Sequence, residues 1–288
     1  MIRLLGVTKR YGKTLALDQL TLTVPQGAIF GLLGPNGSGK STLINLLMGF
    51  IFPDSGQIDR GGWLPAHIGY VPERVSFSAR CPADESLIVA GELSGLSGAV
   101  LRETVDARLN QVGLRHAAHW RVNQFSKGML QRLALAHALL SDPALLILDE
   151  PMSGLDPAAQ KEVRDLVKSL RREGKTVLFS THRLDDIEDV CTHVGILKRG
   201  QLVQSGTMDE ALAPCSQVVI TVDCLPSNFA LAASYPGIAC EGNSITLNGD
   251  AVARKADVVR RLLDEGVDIQ SLTHQRVTLE QVYLEAQR

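Results

Sequence analysis

The segment Gly34-Pro35-Asn36-Gly37-Ser38-Gly39-Lys40-Ser41 fits the pattern G-x-x-x-x-G-K-[ST]. It lies between an apolar strand pattern over 28–33 and an apolar helix pattern over 42–48, the setting that motif requires. Its glycines let the backbone wrap closely around phosphate groups and aim N–H groups at them. The helix that follows adds the positive end of its dipole. Lys40 is expected to reach the β- and γ-phosphates of a nucleotide, and the Ser41 hydroxyl to ligate Mg²⁺. Asn36, Gly37, Ser38, Gly39 and Thr42 complete the expected cradle.

Two further groups can act beside such a cradle. Leu145-Leu146-Ile147-Leu148-Asp149-Glu150 is a buried-strand pattern that emerges into consecutive carboxylates. Successive side chains on a strand face opposite ways, so both acids reach one site only if the backbone turns at the strand end. Asp149 is the expected Mg²⁺ ligand, directly or through water, and Glu150 the group that orients and deprotonates an attacking water. His182 leaves another strand pattern, Thr176-Val177-Leu178-Phe179-Ser180-Thr181, where its imidazole can meet the γ-phosphate or that water. By spacing alone a single histidine there has no specific meaning.

Strand and helix patterns must carry these groups. Strand character occurs over 2–7, 20–24, 28–33, 68–72, 144–148 and 176–180, with helices over 158–172 and 184–191 and a hairpin over 194–203. Continuous apolar strands with helices between them imply a mostly parallel sheet covered on both faces. Residues 76–140 change to helical spacing over 83–93, 99–112 and 127–140, which reads as a helical insertion within one core. After Leu212-Ala213-Pro214 a small α+β unit is expected over 215–288. Its elements are a strand over 218–222, a helix over 227–234, a strand pair around Gly242-Asn243, a helix over 253–265, a strand over 268–272 and a short helix over 279–286.

Composition bounds the partners. In 288 residues, 29 Lys and Arg against 31 Asp and Glu give a net charge of −2, so no nucleic-acid partner is expected. No run of 18 uninterrupted apolar residues occurs, and the N-terminal segment lacks a signal-peptide pattern. The five cysteines form no CxxC pair, which suits reduced thiols in a cytoplasmic protein.

With its remaining motifs the sequence resembles the ATP-binding cassette (ABC) family over residues 1–210. Phe125-Ser126-Lys127-Gly128-Met129-Leu130-Gln131 is similar to the family's signature segment, usually LSGGQ, with Phe125 in place of leucine and Lys127 in place of glycine. Ser126 is also a suitable helix N-cap, with amides free to face an anion. Ser153-Gly154-Leu155-Asp156 resembles the loop that communicates across the family's dimer interface, and Tyr11 matches the aromatic that stacks on adenine. Thr181-His182 matches the family's switch histidine. Glu73 stands where the family usually has glutamine, at the position that joins Mg²⁺ and the attacking water to the helical subdomain.

The resemblance implies a P-loop NTPase fold of ABC type over 1–213, with an antiparallel β subdomain and a helical subdomain over about 76–140. It implies ATP and Mg²⁺ as ligands, a homodimer in which each ATP lies between one protomer's P-loop and the other's signature, and Ser126, Gly128 and Asp156 as groups reaching across. A separately encoded transmembrane permease is the expected partner, with the protein peripheral on the cytoplasmic face and transport outward. The end of the chain, Leu279-Glu280-Gln281-Val282-Tyr283-Leu284, resembles the accessory domain of exporter-type members. The competing class is a soluble cassette ATPase acting on ribosomes or DNA. It would carry two cassettes or a long coiled coil, whereas here one P-loop and one signature stand about 85 residues apart.

Overall fold

The computed structural model of the chain describes residues 1–64, 67–212, 217–224, 237–275, 279–280 and 283. The chain divides into two compact units, Met1–Ser205 and Gly206–Arg288. The break expected at 213–215 lies outside the described residues, and the short helix Met208–Leu212 belongs to the second unit.

The first unit holds two sheets. β1 (Ile2–Tyr11), β2 (Thr14–Val24) and β4 (Ser55–Asp59) form an antiparallel sheet in the order β2-β1-β4. The expected strands over 2–7 and 20–24 are longer here, because bulges in β1 let pairing continue past residue 7 to Tyr11 opposite Thr14. β4 carries no apolar alternation, so its sequence has no strand signal; β1 holds it by register, Leu4 opposite Ile58.

The second sheet contains β3 (Ile29–Leu33), β5 (Ile68–Val71), β6 (Leu145–Asp149), β7 (Thr176–Thr181), β8 (His193–Lys198) and β9 (Gln201–Thr207). Their order is β5-β6-β7-β3-β8-β9, and each neighbouring pair from β5 to β8 is parallel. Every residue of β3, β6 and β7 is buried, as expected of strands covered on both faces. Parallel pairing brings the C-terminal ends of β5, β6, β7 and β3 to one edge, and the motifs follow those ends. Ligand sites of open α/β sheets form at that edge.

Helix α1 (Lys40–Leu47) leaves β3 through the glycine-rich loop. The insertion folds as α2 (Ala83–Leu93), α3 (Gly98–Gln111) and α4 (Lys127–Ala138), all three within the expected stretch 76–140. α5 (Pro157–Arg172) buries Val163, Leu166, Val167 and Leu170 along one stripe and ends on Arg171 and Arg172, which suit the negative end of its dipole. α6 (Leu184–Val190) follows β7.

In the second unit, α7 (Met208–Leu212) precedes a four-stranded antiparallel sheet. That sheet runs β11 (Ile238–Glu241), β12 (Ser244–Asn248), β10 (Gln217–Val222), β13 (Ile269–Gln275), and α8 (Lys255–Asp264) lies between β12 and β13 in sequence. Val218, Ile220, Ile245 and Leu247 form its core with Val258 and Leu262 of α8. The strand pair expected around Gly242-Asn243 is β11–β12. The helix expected over 227–234 lies outside the described residues, as does most of that expected over 279–286.

Candidate nucleotide site

The glycine-rich loop is fixed from behind. Gly34 N–H donates to Thr181 O at 3.3 Å, Ser38 N–H to Pro35 O at 3.1 Å, and Gly200 N–H to Ser38 O at 2.9 Å. Gly39 has φ +110, and a Cβ there would sit 2.7 Å from the Ala16 carbonyl oxygen. Only glycine suits that backbone and that approach. α1 begins at Lys40 rather than at residue 42, so Lys40 and Ser41 occupy its first turn, where N–H groups have no partner within the helix.

These residues open onto a cleft of about 390 Å³. Asn36, Gly37, Gly39, Lys40, Ser41 and Thr42 form one wall. Glu73, Glu150 and His182 arrive from the ends of three other strands. Thr14, Leu15 and Ala16, which carry no motif signal, and Ser153 of the Ser153–Asp156 loop complete the lining. Ser38 is buried and does not line the cleft.

Three functional groups meet across the cleft. Lys40 Nζ donates to Gly34 O at 2.6 Å and lies 3.5 Å from Glu150 Oε1. The other Glu150 oxygen is 2.9 Å from His182 Nδ1. Lys40 and Glu150 are almost wholly buried, while the His182 ring is half exposed. Low dielectric surroundings strengthen such contacts.

The consecutive carboxylates share a site because the strand ends sharply. Glu150 has φ +48, a left-handed conformation that β-strand residues do not adopt. Its N–H is held by the Ser180 hydroxyl at 3.0 Å, and that hydroxyl donates to Asp149 Oδ1 at 2.5 Å. Burial pushes the Asp149 carboxyl above its ordinary range. The Ser180 hydrogen bond and Lys40 oppose that shift, and repulsion from Glu150 and Glu73 adds to it. A cation placed among these acids relieves the repulsion.

The donor chemistry fits Mg²⁺. Ser41, Asp149 and Glu73 offer hard oxygen atoms, and among the described residues no cluster of three or more His, Cys, Asp or Glu could hold a metal alone. Mg²⁺ is commonly held in that way, by one or two carboxylates together with phosphates and water.

Residues 17–153 match the family described as ABC transporter. The linearmycin resistance ATP-binding protein of Bacillus subtilis is 30% identical over 285 residues, covering 96% of this chain and 88% of that protein. The chain belongs to the ABC transporter family. An uncharacterized ABC transporter ATP-binding protein of Nostoc sp. is 41% identical over 211 residues, 69% of this chain. The match spans 62% of the Nostoc protein's length. A solved dimer of an ATP-binding cassette in a post-hydrolysis state, bound to ADP and Pi, matches with TM-score 0.64 at 26% identity, over 72% of this chain and 99% of that one.

Tyr11, Ser126, Gly128 and Asp156 do not line the cleft. Ser126 caps α4, its hydroxyl accepting from Met129 N–H at 3.2 Å. Gly128 packs α4 against α5, where a Cβ would come 2.6 Å from that of Ala159. Asp156 caps α5 by accepting from Ala159 N–H at 2.9 Å, with Pro157 preset for the first helical position. Tyr11, half exposed, ends β1 opposite Thr14 of the cleft wall, with Lys9 Nζ 5.9 Å from its ring centroid. Glu73 and Ser153 line both the cleft and an adjoining hollow of about 290 Å³, whose other wall includes Lys127 of the signature segment.

Proposed function

We propose that this protein hydrolyses ATP as the nucleotide-binding subunit of an ABC transporter, working as a homodimer that drives a separately encoded membrane permease outward. The observation that carries the reading is the contact series Lys40–Glu150–His182 at 3.5 and 2.9 Å, beside the P-loop and inside one cleft. The P-loop amides and Lys40 hold the β- and γ-phosphates, the ammonium exchanging its carbonyl contacts for phosphate oxygens. Ser41 and Asp149, with Glu73 beside them, would hold Mg²⁺, which would supply positive charge to neutralise the phosphates. Glu150 accepts the proton of the attacking water, and His182 fixes the Glu150 carboxylate and meets the γ-phosphate side.

The dimer reading rests on the motifs left outside the cleft. The start of α4, capped by Ser126, offers free amides to an anion, and its own protomer's P-loop cleft does not include it. A second copy supplies the ATP those amides face, with Gly128 and Asp156 in the contact and Tyr11 stacking on adenine. Dimeric association of the related cassette bound to ADP and Pi supports this arrangement. No helix among the described residues is long and apolar enough to cross a membrane, so the transport path belongs to the partner in this reading. The linearmycin-resistance relative favours outward movement, since removal of a toxic compound confers resistance. The first compact unit is the cassette, ending somewhat before the expected 213, and the second an accessory domain.

Substitution of Lys40 tests the phosphate site. Lys40→Ala removes the one buried ammonium lining the cleft, and calorimetry should show ATP affinity reduced by at least about tenfold, the scale of a lost charge-assisted contact. Unchanged affinity would reject the P-loop as the nucleotide site.

A further inference from the structure

Ser180 is a hydroxyl residue in the otherwise apolar stretch Val177-Leu178-Phe179, and it is wholly buried. Register sets it directly beside Asp149 on the neighbouring parallel strand. Its oxygen accepts a hydrogen bond from the Glu150 backbone N–H at 3.0 Å and donates its own hydrogen to Asp149 Oδ1 at 2.5 Å. A hydroxyl has a single hydrogen, so this pairing uses it fully in one direction. A bond to an ionised carboxylate is the stronger kind, and it acts against the burial that raises the Asp149 pKa.

The second bond has a conformational effect. Glu150 stands at φ +48, which a residue with a Cβ adopts only when its surroundings hold it there. The Ser180 oxygen holds the amide of that residue. Without the turn, the alternation of a strand would send the side chains of 149 and 150 to opposite faces.

We infer that Ser180 is a positioning residue for ATP hydrolysis: one buried hydroxyl orients the metal-side carboxylate of Asp149 and locks the backbone turn that brings Glu150 to the cleft. The inference rests on the hydrolytic reading proposed above. Ser180 does not line the cleft, and it acts only through the two acids. It couples them, so that a displaced Asp149 and a displaced Glu150 follow from the same loss.

The test compares wild type with Ser180→Ala and Ser180→Cys. Cysteine is close to isosteric with serine apart from its larger sulfur and forms only weak hydrogen bonds. Three quantities are measured: thermal unfolding, ATP affinity by calorimetry across a MgCl₂ titration, and steady-state kcat and KM. Loss of a partner behind a metal ligand costs about 10–100-fold in metal affinity or activity. Accordingly Ser180→Cys should fold, should bind ATP without Mg²⁺ within about twofold of wild type, and should need about tenfold more Mg²⁺ to reach its affinity plateau. Its kcat should fall at least about tenfold with KM little changed. If Ser180→Ala does not fold, Ser180→Cys alone decides. A folded Ser180→Cys protein with wild-type kcat and a wild-type Mg²⁺ midpoint overturns the positioning role, while a wild type that hydrolyses no ATP overturns the proposed function instead.

Discussion

Glu150 joins the two sides of the site, touching Lys40 with one oxygen and His182 with the other. Lys40 was legible from the glycine-rich motif and Glu150 from its place at a strand end, His182 only through the family resemblance, and the structure brings all three into one cleft. Ser180 was not legible in the same way, because a serine in an apolar strand gains meaning only once the register with Asp149 is known. Glu73 is legible but ambiguous, since it departs from the family's usual glutamine. It lines the cleft, and its charge adds to the raised pKa of Asp149. Glutamine keeps an oxygen for a metal or its water and removes the negative charge. Glu73→Gln should therefore retain ATP hydrolysis within about threefold but need several-fold more Mg²⁺ for half-maximal rate, whereas Glu73→Ala should slow turnover by about tenfold while nucleotide still binds. Superimposable Mg²⁺ titrations of the three forms would show Glu73 to be a bystander.

Four strand ends build the site, and their common edge follows from parallel pairing in the order β5-β6-β7-β3. Apolar runs made β3, β6 and β7 visible in the sequence, and helical spacing marked α2, α3 and α4. β4 and the first half of β2 were not visible, since what fixes them is pairing with β1 rather than an apolar pattern. The helical insertion carries its own titratable group. His137, in the last turn of α4, bonds to Ser86 Oγ at 2.9 Å and lies against the Phe77 ring with centroids 4.9 Å apart. Burial lowers its pKa to about 4 from an ordinary 6.5. Between those values the unfolded chain binds a proton that the folded chain refuses, so stability falls as pH drops from 6.5 toward 4. Between pH 7.5 and pH 5 the loss is on the order of 2 kcal/mol from this group. His137→Gln should remove that part of the slope in urea unfolding. Equal slopes for the variant and wild type would show that His137 does not titrate in this way.

At the scale of the whole molecule, the cassette unit holds every residue of the cleft, and the second unit folds around a separate core. The small α+β character of that second unit was legible from its alternating patterns, but its strand order was not, because antiparallel neighbours with similar apolar content are distinguished only by long-range pairing. What a single chain leaves unused is the capped start of α4 with Ser126, which stands outside its own cleft. In a homodimer closed on ATP it would complete the partner's site, and closure would persist while hydrolysis is blocked. The decisive measurement is therefore on Glu150→Gln, which keeps the side-chain shape but cannot accept the water's proton. ATP should bind with wild-type affinity, turnover should fall by about 10²–10⁴-fold, and light scattering should show the mass doubling when ATP and Mg²⁺ are added. A variant that turns over ATP at the wild-type rate, or one that binds ATP and stays monomeric, would contradict the assignment of Glu150 as base or the ATP-closed dimer respectively.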